Sequence, residues 1–269
     1  MHLWRKLLGF GLVLFGLILL LAGAEPASAA TPRVAYLTAA PAPAGKSEVL
    51  TRAAQAQGFE LEARYVEKLD EAGLAHFAGN ADLLIVDTPR PGLLEFMLGK
   101  LGPAWSARTA PRLLLDGERV EARGLDHALA TELQRYLNNG GRRNLDAATQ
   151  LIAARIFKLR SAEGIPALQT MPTAAYYHPR LADTVTTQAD AALAVSGQPG
   201  QAVIGVAIHQ TYVSGVDTAY VDALIAEIEA QGGRALVFYT PMMEADQFLK
   251  MAAPGGRRLA DVLINNQIM

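Results

Sequence analysis

The chain contains no cysteine, so disulfides, thiol nucleophiles and cysteine metal sites are excluded. Its stability has to come from packing. Charge is also scarce: charged residues make up 19% of the sequence, the net charge is -2 and the pI is about 6.2. No basic surface field therefore points to DNA or RNA, and nucleic acid is not expected as a partner. Several motifs are missing too: no Walker loop, no dinucleotide fingerprint, no His-Glu-x-x-His pair and no Gly-x-Ser-x-Gly elbow. No internal repeat is evident. These absences remove the common routes to nucleotide binding, zinc hydrolysis and serine hydrolysis, and no catalytic residue or metal ligand is assigned.

What the sequence does have is apolar material, with 51% hydrophobic residues over 269 positions, enough for one or two sizeable cores. The first stretch of it is a targeting segment. Arg5 and Lys6 precede an uncharged run from Leu7 to Ala24, and Ala27-Ser28-Ala29 offers small residues where a signal peptidase reads. Residues 1–29 are expected to be a cleaved signal peptide or, because the run just reaches bilayer length, a membrane anchor. Both place the globular part outside the cytoplasm, in the periplasm or on the periplasmic face of the inner membrane.

Downstream, strand-like and helix-like segments alternate. Arg33–Ala39, Phe59–Val66, Ala81–Asp87 and Arg112–Leu115 read as strands, separated by helices beginning at Ser47, Leu69 and Gly92. Two consecutive helices, Leu125–Leu137 and Leu145–Leu159, follow on either side of Asn138-Asn139-Gly140-Gly141. Gly164–Thr173 is a linker or crossover, and Leu181–Ser196 is helix-like. Ala202–Ile208, Arg234–Tyr239 and Asp261–Asn265 are three further strands, with helices over Val221–Ile228 and Met243–Ala252. The grammar is that of an α/β protein with two doubly wound, Rossmann-like parallel-sheet units: 33–165 with a closing helical pair, and 166–269, the second truncated after its last strand.

Ligands of such sheets sit beyond the carboxyl ends of the strands, which draws attention to the loop His209-Gln210-Thr211-Tyr212-Val213-Ser214-Gly215. His209, Tyr212 and Ser214 are candidate ligand-binding residues, against the alternative that they only build a turn. Tyr177 and His178, in Tyr176-Tyr177-His178-Pro179, are the second candidate group. The tyrosines offer a stacking surface and the imidazole a ligand for a planar metal-bearing molecule, whereas the alternative is a proline-stiffened connector. Asp82, Asp87 and Asp116 lie near strand ends, where they either orient a ligand or cap the next element. The glycine pairs follow helices and read as caps.

Taken in order, Tyr177-His178-Pro179, Ile204-Gly205-Val206 leading through His209 to Ser214-Gly215, Asp222-Ala223-Leu224-Ile225 and Asp261-Val262-Leu263-Ile264-Asn265 resemble the amino-terminal region of cobaltochelatase (CobN-type) and magnesium chelatase (H-type) large subunits. Ala81–Val86 and the stretch Tyr136–Leu145 resemble the first domain of the same family. The resemblance implies a subunit that binds a tetrapyrrole, a porphyrin, corrinoid or haem, for insertion or removal of a divalent metal. It implies no cofactor of the chain's own, and ATP used only through partner ATPase subunits; membrane transport components are the alternative partners for a chain outside the cytoplasm. The loop differs from the Tyr-Arg-Ser-like residues expected of the cobaltochelatase form. The family's subunits are several times longer, so this chain alone is expected to be catalytically silent. The alternative function is a non-catalytic extracytoplasmic protein that holds a small ligand between two α/β lobes.

Overall fold

Each segment read as a strand carries one. The computed structural model describes residues 30–267 except 91, 107, 118, 242 and 243, and the targeting segment expected over residues 1–29 lies outside the described residues. The first sheet contains β1 (Arg33–Thr38), β2 (Glu60–Tyr65), β3 (Leu83–Thr88), β4 (Arg112–Asp116) and β5 (Arg119–Arg123), in the order β2-β1-β3-β4-β5. Around it lie α1 (Ala44–Ala56), α2 (Glu71–Gly79), α3 (Leu94–Leu101), the single turn α4 (Pro103–Ser106), α5 (His127–Asn139) and α6 (Gly141–Leu151). A wider π turn over Ile152–Ile156 prolongs α6. The period-two alternation of strand side chains divides the core between the two faces. Val34, Tyr36, Ile85 and Leu113 pack under α1, α5 and α6, while Ala35, Leu37, Leu84 and Val86 pack under α2 and α3. Each large aliphatic side chain buried in this way contributes about 1.5–3 kcal/mol.

The second sheet contains β6 (Ala175–Tyr177), β7 (Val185–Thr186), β8 (Val203–Ala207), β9 (Arg234–Tyr239) and β10 (Val262–Asn265), in the order β10-β8-β9-β6-β7. Its helices are α7 (Ala189–Ala194), α8 (Gln210–Ser214), α9 (Ala219–Ala230) and α10 (Ala245–Ala252). Val206, Val237 and Tyr239 pack with Val221 and Ile225 of α9; Leu236 and Phe238 face α7 and Met251 of α10. β10 forms one edge, and Val262, Leu263 and Ile264 are exposed along it.

The chain is thus α/β with two doubly wound units, but the sheets are mixed rather than wholly parallel. β5 runs antiparallel to β4, and β6 runs antiparallel to both β9 and β7. Only two residues separate β4 from β5, which is enough for a hairpin and far too few for a parallel crossover. The helix expected over Leu181–Ser196 shrinks to α7. Backbone bonds from Leu181 N to His178 O and from His178 N to Thr184 O fold residues 178–184 into a turn that returns the chain as β7.

The α5–α6 junction also differs from its reading. The second helix starts at Gly141, four residues before the Leu145 start expected and directly after Gly140, which serves both helices as cap with φ 61°. Asn144 is buried within α6, where its amide nitrogen donates to Gly140 O and Gln169 O, at 2.8 Å each, and its oxygen accepts from Gln169 N at 2.9 Å. The Asn139 side chain accepts from Met171 N and the Tyr136 hydroxyl donates to Pro166 O. Helix side chains thereby fasten the linker to the first lobe, and residues from Pro32 onward cluster as one body.

Candidate functional site

Where the two lobes touch, backbone meets backbone at glycines. A Cβ at Gly140 would overlap the carbonyl oxygen of Ser214, and one at Gly45 the carbonyl oxygen of Val216. Only glycine permits these approaches. Val216 packs against the core of the first lobe and adopts φ 55°, a rare conformation for a β-branched residue. The segment after α8 is therefore seated in the first lobe, and a crevice opens on each side of this contact.

The first crevice, about 210 Å³, lies at the carboxyl ends of β1, β3 and β4. Tyr36, Thr38, Asp87 and Thr88 supply its strand-end wall, Lys46 and Ser47 its α1 wall, and Thr211, Ser214 and Gly215 its second-lobe wall. Arg90 and Asn138 also line it. α1 begins three residues earlier than the Ser47 start expected, with Pro43 as N-cap, which brings Lys46 and Ser47 into its first turn. Asp87 is the hub. Its Oδ2 accepts from Lys46 Nζ at 2.6 Å and from the buried Tyr36 hydroxyl, and its backbone oxygen accepts from Thr38 Oγ1 at 2.9 Å. Burial and the neighbouring Asp87 charge push the Tyr36 phenol well above its usual range, so it stays a neutral donor. The Thr88 hydroxyl lies 2.7 Å from Asp116 Oδ1 and 3.0 Å from Leu115 O, while Gln134 and Asn138 of α5 both donate to Gly117 O. The strand-end wall is rigid because every one of these groups is held by a neighbour.

The second crevice, about 770 Å³, lies between the start of α6, the linker and residues 182–187. Arg142 and Arg143 line it together with Asp146 and Asp183, so its charges balance. Burial raises the Asp146 carboxyl, against the pull of Arg142.

Of the residues singled out in the sequence, Ser214 lines the first crevice. His209 is the N-cap of α8, its Nδ1 accepting from Thr211 N, and Tyr212 packs edge-on against Tyr220 at 5.0 Å; both belong to the crevice's helix but do not line it. Tyr177 and His178 are not brought to the site. The Tyr177 hydroxyl donates to Asp222 Oδ1 at 2.6 Å beneath α9, and Tyr176 points to the other face of the sheet, so the two tyrosines form no stacking surface. His178 is fully buried at the opposite end of the second sheet from α8, because β6 runs antiparallel to β9. Its Nε2 lies 3.1 Å from Glu229 Oε1 and its Nδ1 accepts from Arg180 N, leaving no nitrogen for a metal. Among the described residues no group of three or more His, Asp or Glu is placed to hold a metal ion.

The sequence missed Tyr36, Lys46 and Arg90 and raised Asp87 only as one of three strand-end carboxylates. The available signal was the absence of a capping side chain before a helix that follows a strand, with a lysine in its first turn.

Residues 134–269, half of the chain, match the family model of CobN/magnesium chelatase. The chain belongs to this family. The matched part of this chelatase-family chain runs from within α5 through the linker and the entire second sheet, and so includes α8 and the contact of its Ser214 with Gly140. The first lobe enters through structure: the catalytic subunit of cobaltochelatase from Mycobacterium tuberculosis is similar at TM-score 0.58 and 18% identity, over 87% of this chain and 18% of that one. That likeness shows a shared fold, and the chain spans under a fifth of that subunit's length. A periplasmic ABC transporter solute-binding protein from Actinobacillus succinogenes 130z, solved with bound D-allose, is similar only at TM-score 0.24 and 15% identity, over 83% and 64% of the two chains, which carries no argument. No curated protein sequence matches the chain.

Proposed function

We propose that this chain is the amino-terminal α/β part of a chelatase-type large subunit and helps to bind a tetrapyrrole, a porphyrin, corrinoid or haem, for insertion or removal of a divalent metal. The observation that carries the reading is membership of the CobN/magnesium chelatase family through a segment whose α8 forms one wall of the strand-end crevice. That crevice is preferred over the larger one for two reasons. It lies at the carboxyl ends of parallel strands, where such folds bind ligands. Its lining also holds Lys46 and Arg90 against the single carboxylate Asp87, a cationic excess that the larger crevice lacks. A volume of about 210 Å³ is below the roughly 300–1,000 Å³ that encloses a whole ligand, so this chain receives an edge of the macrocycle rather than all of it. Metal insertion then requires the rest of a large subunit, and ATP enters through ATPase partners. The charge pattern of residues 1–29 supports work outside the cytoplasm, with membrane transport components as further partners.

The same small volume favours one other reading, a non-catalytic extracytoplasmic protein that holds a small ligand between its lobes. Absorption titration of the chain with haem and with metal-free protoporphyrin separates the two. A saturable change in the Soret band is expected. No change with either macrocycle, alongside saturable binding of a small molecule, would replace the tetrapyrrole reading with the small-ligand one.

A further inference from the structure

We infer that the strand-end crevice is an oxyanion site that takes one carboxylate or phosphate group against the start of α1. This rests on the proposed function only for the identity of the molecule that carries the anion. Four observations converge on it. First, α1 is a helix of 13 residues whose N-cap Pro43 provides no capping side chain and whose first turn has no acidic residue. The N–H groups of Ala44, Gly45 and Lys46 have no partner within the helix, and they make its start favourable for negative charge. By contrast, Asp70 and Asp126 cap α2 and α5 with their own carboxylates.

Second, Lys46 stands in that first turn and reaches into the crevice. Asp87 takes one of its three ammonium protons at 2.6 Å and fixes its direction, leaving two to donate. Third, Arg90 borders the same space, and among the described residues it has no carboxylate within ion-pair distance. Lys46 and Arg90 against Asp87 leave one positive charge in excess, which matches one monoanionic group. Fourth, the hydroxyls of Ser47 and Ser214 line the crevice, one from each lobe. They can donate to the oxygens that the cations leave free. The size agrees: the space suits a single carboxylate or phosphate and not the macrocycle that bears it.

The test has two arms on the 269-residue chain. In the first, inorganic phosphate and acetate are titrated separately at constant ionic strength while the backbone amide resonances of Lys46 and Ser47 are followed. Saturable shifts at these amides are expected. Replacing Arg90, an exposed side chain, by Met should weaken the midpoint roughly ten-fold, the loss of one charge-assisted hydrogen bond. Lys46→Met should weaken it at least as much in a variant whose circular dichroism stays native, and the Arg90→Met result decides the matter if that variant misfolds. In the second arm, a porphyrin with free carboxylates and its methyl esters are compared by the Soret band. Preference for the acid, about ten-fold and lost in Arg90→Met, assigns the anion to the macrocycle. Saturable phosphate shifts with neither porphyrin form bound would keep the oxyanion site, assign it to a free phosphate-bearing molecule and end the tetrapyrrole reading. The absence of any saturable shift at Lys46 and Ser47 would overturn the oxyanion site, whether or not a porphyrin binds.

Discussion

Two carboxylates organise the polar chemistry of this chain, Asp87 in the first lobe and Glu229 in the second, and their surroundings use nearly the same residue types. Glu229 accepts from Arg180 through both oxygens, at 2.9 and 2.6 Å, from Ser196 Oγ at 2.8 Å, and from His178 Nε2 at 3.1 Å. The Ser196 hydroxyl oxygen in turn accepts from Ala235 N, and Arg180 also donates to Val195 O. This network ties together the end of β6, the residues after α7, the end of α9 and the start of β9, and each of its members is engaged within the protein. Asp87 likewise has a cation and a hydroxyl, but its cation keeps spare donors that face an open crevice. A closed network acts as scaffold and an open one offers a site; residue type does not tell them apart, whereas unspent hydrogen-bond capacity does.

The largest expected effect comes from opening the closed network. Glu229→Ala leaves the buried His178 Nε2–H and the Ser196 hydroxyl without their acceptor and Arg180 without its partner, and should destabilise the chain by about 3 kcal/mol, read from urea unfolding. Oxyanion binding in the first crevice should stay unchanged. A loss below about 1 kcal/mol would mean that the network is not the scaffold inferred here. Acid should produce the same loss by another route. The Arg180 hydrogen bonds hold the Glu229 carboxyl down at about 2, against an ordinary value of 4.5. Its contribution is fully present above pH 4.5 and disappears as pH falls towards 2, where the folded state must also take up the proton.

Next in size is the joint between the lobes. Gly140 combines φ 61° with close approach to the Ser214 carbonyl, so Gly140→Ala should cost about 2 kcal/mol by the same unfolding measurement. Because Ser214 lines the crevice, the substitution should also weaken oxyanion binding, which Glu229→Ala should not do. Equal binding in both variants would break the distinction between a scaffold network and a site built at the lobe contact.

The sequence carried most of the fold and little of the site, for a physical reason. The apolar runs Ala81–Asp87 and Ala202–Ile208 are local signals, and they became β3 and β8. β5 escaped notice because Arg119–Arg123 is a short edge strand of alternating exposure, and β6 because it has only three residues. In the site, Tyr36 and Lys46 lie 51 and 41 positions from Asp87, and parallel pairing of β1 with β3 brings them together without any spacing rule. Ser214 was reachable because it closes the short segment that leaves the carboxyl end of β8. The misplacement of His178 was avoidable in part. Period two alone sends Tyr176 and Tyr177 to opposite faces, so the two rings could never form one stacking surface.

The smallest effect concerns His178 itself. Burial lowers its pKa below the usual 6.5, although the Glu229 hydrogen bond works in the opposite direction. The unfolded chain therefore takes up the imidazole proton at a higher pH than the folded one does. The corresponding stability is complete above about pH 6.5 and declines as pH drops from there towards the folded value. The midpoint of thermal unfolding should thus fall modestly between pH 7.5 and 5, well before the Glu229 limb begins, and His178→Gln should flatten that slope. An unchanged slope in His178→Gln would show that the imidazole is not the group held neutral, and the Glu229 cluster would then lose its pH-sensitive member while keeping its Arg180 and Ser196 bonds.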